Sequence, residues 1–130
     1  MTGPVGIVLV SHSAELASGL RVLVRQIGTD EVPVAVAGGT EDGRIGTSYA
    51  LVMAAIADAD RGAGVVILAD LGSAVLTARQ ALTDQPRPDV IIVDAPFVEG
   101  AVAAAATASG GADLATVVRI AEEARDFHKL

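Results

Sequence analysis

The sequence predicts an α/β fold: an open, mostly parallel four-stranded sheet with helices on both faces. Three observations predict it. Four short apolar runs rich in β-branched residues recur along the chain with little polar alternation, the pattern of strands covered on both faces. Between them lie segments with apolar residues three and four apart, the spacing of an amphipathic helix. Strand and helix alternate throughout, which argues for parallel strands joined by helical crossovers.

Taken in order, Gly6–Val10 is the first strand. Glu15–Ile27 follows as a helix with Leu16, Leu20, Leu23, Val24 and Ile27 on one face. Val32–Ala37 is the second strand, and Ser48–Ala59 a helix carrying Leu51, Val52, Ala55 and Ile56 inward. Gly64–Ala69 is the third strand, Ser73–Leu82 the next helix and Asp89–Val93 the fourth strand. Phe97–Ala108 and Asp113–Phe127 are the last two helices, the latter with Leu114, Val117, Val118, Ile120 and Ala121 on one face and Glu122 and Glu123 outward. Gly110 and Gly111 separate them, as glycines after a helix end commonly do. No linker, repeat or disordered tail is expected beyond the last few residues, so residues 1–130 read as one domain. The pattern leaves the strand order open.

Composition narrows the function. The formal charge is −7, which argues against a phosphate backbone as partner. The only aromatics are Tyr49, Phe97 and Phe127, too few for stacking on bases. No lysine precedes Lys129, so there is no basic stripe for anionic lipid. No apolar run has the length of a membrane span. Without cysteine, disulfides, thiol chemistry and cysteine–metal sites are excluded. These features describe a cytoplasmic domain with neither nucleic acid nor membrane as partner.

In open α/β sheets, ligands bind outside the carboxyl ends of the strands. Ser11, His12 and Ser13 follow the first strand, and the glycine-rich loop Gly38–Ser48 follows the second. Asp70, Leu71, Gly72 and Ser73 follow the third, and Asp94, Ala95 and Pro96 the fourth. An imidazole can serve as base, metal ligand or phosphoryl acceptor, according to what fixes its tautomer. A carboxylate bonded to one ring nitrogen leaves the other free as a nucleophile. Asp70 is the better candidate for that carboxylate, because an acid after Val-Val-Ile-Leu-Ala needs a partner; Asp94 is second. The plain alternative is that His12 caps the first helix or packs its loop. Ser13 and Ser73 read first as helix N-caps, and Asp94 as a turn residue before Pro96. The glycines of the long loop permit close approach to a ligand. Thr47 and Ser48 then open a helix, whose free amides suit an anion. The loop lacks the lysine of the nucleotide-hydrolase phosphate loop. His128 lies near the end of the chain and is expected in solvent. With His12 the one remaining histidine, a dedicated metal site is not expected.

Taken together, VSHSAELASGL, GGTEDGRIGTS and ILADLGSAVLTA resemble the phosphotransferase subunits of bacterial dihydroxyacetone kinases. More broadly they resemble the mannose-type IIA domains of the sugar phosphotransferase system. The resemblance extends through APFVEGAVAAAATASGGADL and so over nearly the whole chain. Any one motif is moderately specific; three in this order are far more so. The resemblance implies the mannose-type IIA fold and a cytoplasmic homodimer. It implies that phosphate passes from phosphoenolpyruvate through Enzyme I and HPr to His12. The phosphohistidine would then rephosphorylate ADP on the nucleotide-binding subunit of the kinase, which phosphorylates dihydroxyacetone held on a third subunit. Asp70 matches the aspartate that orients the histidine. Ser13, Gly39, Gly46, Thr47, Ser48, Gly72 and Ser73 match the wall of the phosphoryl pocket. No cofactor or metal is implied on this subunit. Some relatives fuse this domain to HPr-like and further domains; on the resemblance this chain is expected to be the single-domain form.

Two other functions fit the same residues. A sugar-transporting IIA domain would pass phosphate to a IIB partner, but such relatives tend to carry a tryptophan in the turn where this chain reads DLGSA. A non-catalytic module would bind a small anion in the Gly38–Ser48 loop and leave His12 dispensable. A receiver domain phosphorylated on aspartate shares the α/β pattern. It needs paired acids after the first strand and a lysine near the sheet's end, and both are absent.

Overall fold

The computed structural model describes residues 3–28 and 30–130. Its elements are β1 (Gly6–Ser11), α1 (Ala14–Ile27), β2 (Val34–Gly38), α2 (Tyr49–Ala59), β3 (Val65–Ala69), α3 (Gly72–Asp84), β4 (Val90–Ile92), α4 (Phe97–Ser109) and α5 (Leu114–Glu123). A short 3₁₀ turn, Ala124–Asp126, follows α5. The four strands form one all-parallel sheet in the order β2-β1-β3-β4.

Period-two geometry divides each strand between two cores. Ile7, Leu9, Val66 and Leu68 face α1, α4 and α5, against Leu20, Val24, Ala101, Ala104, Ala105, Val117 and Ala121. Val8, Val10, Val65 and Ile67 face α2 and α3, against Val52, Ala55, Ile56, Ala74, Ala78 and Ala81. Both faces of β1 and β3 are dry, so their sequences show no polar alternation. A right-handed crossover ties the direction of each step along the sheet to the face its helix covers. The chain leaves β1 through α1 on one face to reach β2. It then crosses back over the other face through α2 to β3, and continues through α3 to β4.

The structure moves several expected boundaries. Pro33 lacks an amide to donate, so β2 starts at Val34 and runs on to Gly38. β3 starts one residue later than predicted, after Gly64, which sits at φ +97°. β4 is reduced to Val90–Ile92. α3 begins at Gly72, so Ser73 lies inside its first turn; Leu71 is the N-cap and makes no side-chain cap bond. Ser73 is therefore not a cap, which corrects the prediction. Ser13, Ser48 and Asp113 do cap their helices, accepting from the amides of Leu16, Leu51 and Thr116. The last helix breaks into α5 and the 3₁₀ turn, leaving Phe127 exposed. In α1 the core takes Ala17, Leu20 and Val24, while Leu16, Leu23 and Ile27 are exposed, contrary to their predicted burial. The stripe is wider than the surface it packs on.

The α2 end packs onto the start of β1 so closely that a Cβ on Gly6 would lie 2.0 Å from the Ala59 carbonyl oxygen. Gly6→Ala should therefore lower stability at the upper end of the roughly 1–3 kcal/mol overpacking range. Gly19, on the exposed side of α1 with nothing within 4 Å of its virtual Cβ, gives the opposite sign: Gly19→Ala should add about 0.5–1 kcal/mol. Urea unfolding of both variants checks the pair.

Candidate functional site

The chain leaves β1 in one direction across the sheet and returns past it to β3 in the other. The carboxyl ends of β1 and β3 are thus the topological switch point, where crossovers diverge and leave a crevice. Ser11 and His12 stand at the end of β1, and Asp70 follows the end of β3. The register places Val10 beside Ala69, so Ser11 is level with Asp70 and His12 lies one residue beyond on the neighbouring strand.

His12 Nδ1 lies 2.9 Å from Asp70 Oδ1. The other carboxylate oxygen accepts the His12 amide at 3.1 Å and the Ser11 hydroxyl at 2.9 Å. The Leu71 amide donates to Oδ1 at 2.7 Å. Burial disfavours ionisation of Asp70, but the bonds from the His12 ring, the His12 amide, the Ser11 hydroxyl and the Leu71 amide outweigh it. The carboxyl group is held below its ordinary value. An ionised carboxylate only accepts, so in the neutral ring Nδ1 carries the proton and Nε2 presents its lone pair. The hydroxyl of Ser73, in the first turn of α3, donates to Nε2. The His12 side chain is 19% exposed and that of Asp70 10%. The ring is partly exposed and its anchor more nearly covered.

The glycine-rich loop comes back to this point. The Gly46 amide donates to the His12 carbonyl at 2.9 Å and the Gly39 amide to the Ser11 carbonyl at 2.9 Å. Gly39 sits at φ +69° and Gly46 at +145°, backbone that side chains rarely adopt. The close approach the glycines allow is to the chain itself, since a Cβ on Gly38 would lie 2.7 Å from Ala14 Cα. The Thr47 hydroxyl is paired with that of Thr77 at 2.8 Å. Ser48 caps α2 and donates to Glu41 at 3.2 Å, and Ser13 caps α1. Gly72 opens α3 beside Ser73. Of the predicted set, the side chains that touch His12 are Asp70 and Ser73.

Asp94 is directed elsewhere. Its carboxylate bonds Arg125 at 2.7 Å, and its amide donates to Glu122, 3.0 Å away. Asp94 is thus tied to the α5 end. Arg44 pairs with Asp42 across the exposed loop tip. Two participants were not singled out from the sequence. Ser11 is fully buried and, besides donating to Asp70, accepts the Ser13 amide at 3.1 Å. Thr77, one helical turn past Ser73, ties Thr47 to α3 and donates to the Ser73 carbonyl at 3.0 Å. Its spacing from Ser73 was the available signal.

Known proteins share this architecture. The profile of the EIIA-man family, described as the PTS system fructose IIA component, matches residues 6–118. A fold and switch-point histidine of this kind define the chain as an EIIA-man-type phosphotransferase-system domain. The phosphoryl donor subunit DhaM of PEP-dependent dihydroxyacetone kinase 1 from Listeria innocua is 40% identical over 106 residues, 82% of this chain and 83% of that one. The corresponding subunit from Pantoea ananatis is 43% identical over 130 residues, and there the matched region is 27% of the relative. The crystal structure of EF1359, a protein of unknown function, superposes with a TM-score of 0.81 at 36% identity, covering 92% of this chain and 94% of that one. The chain belongs to the EIIA-man family and, within it, to the DhaM phosphoryl donor subunits of dihydroxyacetone kinases. Among the described residues no helix is long and apolar enough to cross a membrane.

Asp70 also sets a pH dependence of stability. Its folded value lies below the ordinary carboxylate value of about 3.9. Its hydrogen bonds therefore stabilise the fold fully above about pH 4, and that contribution is lost as pH falls through the lowered value. Asp70→Asn should be less stable than wild type at pH 7, with the gap closing below about pH 4. Urea midpoints of both proteins from pH 7 to pH 2 read this directly.

Proposed function

We propose that this chain is the phosphohistidine carrier of a PEP-dependent dihydroxyacetone kinase, with His12 as acceptor. One observation carries the reading: the largely covered Asp70 carboxylate holds Nδ1 of His12, and Nε2, on the other side of the ring, meets a hydroxyl, that of Ser73. In the first step the Nε2 lone pair attacks the phosphorus of a phosphohistidine on HPr. The donor's P–N bond breaks and its ring keeps the electron pair. In the second step an oxygen of the ADP β-phosphate, held on the kinase's nucleotide-binding subunit, attacks the same phosphorus. The Nε2–P bond breaks and ATP is formed.

The rest of the site fits the demands of such a step, which are positioning and charge stabilisation. Asp70 fixes the tautomer and stabilises the charge the ring gains on becoming phosphorylated. The Ser73 hydroxyl leaves Nε2 and donates to a phosphoryl oxygen. The first-turn amides of α3, at Gly72 and Ser73, lack intrahelical acceptors and suit an oxyanion. The Gly39–Gly46 loop holds the His12 backbone from behind, and the Thr47–Thr77 pair anchors that loop to α3. No metal or organic cofactor of its own enters either step. The curated relatives support the kinase partner by name: the Listeria and Pantoea proteins are phosphoryl donor subunits of PEP-dependent dihydroxyacetone kinases.

Incubation with phosphoenolpyruvate, Enzyme I and HPr should add one acid-labile phosphoryl group, read by intact-mass spectrometry. The gain should vanish in His12→Ala with the fold retained by circular dichroism; a phosphorylated His12→Ala protein would overturn the assignment. Adding the nucleotide-binding subunit with ADP should discharge the carrier, whereas discharge by a sugar-specific IIB partner alone would reassign it. Asp70→Asn should still accept phosphate, at a rate lower by roughly 10²–10⁴, the scale of tautomer control in acid–base catalysis. Quench-flow measurement of single-turnover transfer from phospho-HPr checks the magnitude.

A further inference from the structure

Three of the four cations that lack a carboxylate partner among the described residues line one groove. Arg44, Arg87, Arg119, Arg125 and Lys129 each hold an acid within 4.0 Å. Arg21, Arg25 and Arg61 hold none, yet together with Pro33, Val34, Ala35, Val36 and Asp58 they enclose a cavity of about 290 Å³. The nearby Asp60 carboxylate does not neutralise Arg61, because Arg87 takes it at 2.8 Å. Among the described residues the Arg61 guanidinium bonds a backbone carbonyl, that of Asp58, at 2.8 Å. In a chain of net charge −7 this is a local concentration of positive charge.

The groove floor is the free edge of the sheet. β2 is the outermost strand on its side. The Ile7 amide donates to the Pro33 carbonyl and the Gly39 amide to the Ser11 carbonyl. Alternate residues of a parallel strand bond the same neighbour. Pro33, Ala35, Ala37 and Gly39 therefore face β1, and Val34 and Val36 turn their amides and carbonyls outward. Arg21 and Arg25 flank this edge from α1, on one face of the sheet. Asp58 and Arg61 flank it from the end of α2, on the other.

We propose that this groove is a docking site for an extended acidic segment of a partner protein, which adds beside β2 as a fifth strand. The dimensions match. Arg21 and Arg25 are one helical turn apart on one face, about 6 Å along α1. Side chains at i and i+2 of an extended strand are about 6.6 Å apart and share a face. Two acidic residues so spaced reach the two guanidiniums, while the residue between them points to Arg61. The added backbone bonds Val34 and Val36, the mode by which exposed sheet edges capture peptides. A second copy of this chain is disfavoured, because two-fold pairing of β2 edges sets each arginine cluster against its own image. Val34 is level with Ile7, four residues or about 13 Å from Ser11 along the strands. The segment can thus stay bound while His12 is in use.

The test uses the full chain and a fluorescein-labelled peptide, Thr-Glu-Val-Glu-Val-Glu-Thr. Anisotropy should show one-to-one binding that weakens at least tenfold when lysines replace the glutamates. The same loss is expected when alternate peptide amides are N-methylated, and in Arg21→Glu/Arg25→Glu. Amide cross-peaks of Val34 and Val36 should shift on binding. Circular dichroism checks that the variant folds, and Arg25→Ala serves as a milder substitute. Absent binding, equal binding of the lysine peptide, or indifference to the arginines would overturn the proposal. So would sedimentation showing self-association through this edge in the wild-type protein.

Discussion

Asp70 accepts four hydrogen bonds on two oxygens, and the donors come from two separate strand ends. Ser11 and the His12 backbone bind one oxygen; the His12 ring and the Leu71 amide bind the other. That geometry exists only because β1 and β3 are adjacent and in register, with Val10 beside Ala69. The carboxylate in turn joins the end of β3 to the start of α1, since Ser11 also takes the amide of the helix cap Ser13. A charge this close to the interior is tolerable because every lone-pair direction has a donor. The same saturation holds the group ionised and so dictates which ring nitrogen of His12 is free.

The two cores keep this joint rigid. Valine, isoleucine and leucine fill both sides of β1 and β3, and alanine dominates the helix faces that meet them. Small side chains let α3 and α4 lie close to the sheet, at the cost of little tolerance for added volume. The switch-point end of the sheet therefore rests on tightly packed elements, the arrangement a transfer site needs to hold a ring within a fraction of an ångström. The loop tip around Asp42–Arg44 stands away from this packing: its side chains are exposed, and the Asp42 carboxylate pairs with Arg44 and accepts the Thr40 hydroxyl.

Relatives place the same domain in two contexts. Matched regions make up 83% of the Listeria subunit but only 27% of the Pantoea one, so the fold is used both nearly alone and as a minor part of a longer chain. In either setting the proposed carrier role would require one small crevice to face a donor and an acceptor in turn. The edge groove on the other half of β2 is geometrically independent of that crevice, so the proposed docking would separate holding a partner from reacting with it.

The amino-acid sequence by itself determined the element types, the doubly covered sheet and the residues at the strand ends. Hydrophobic period and turn residues are local properties, so His12, Asp70 and the glycine loop could be placed at one edge, and the three motifs sufficed for the family. Helix starts were legible where a side chain caps, as at Ser13 and Ser48, and misread at Ser73, whose hydroxyl bonds the His12 ring instead. Strand order, the burial of Ser11 and the Thr47–Thr77 tie were decided only in three dimensions. Each depends on which distant segments become neighbours, and that is set by crossover handedness and by how two cores share one sheet, neither of which any local stretch encodes.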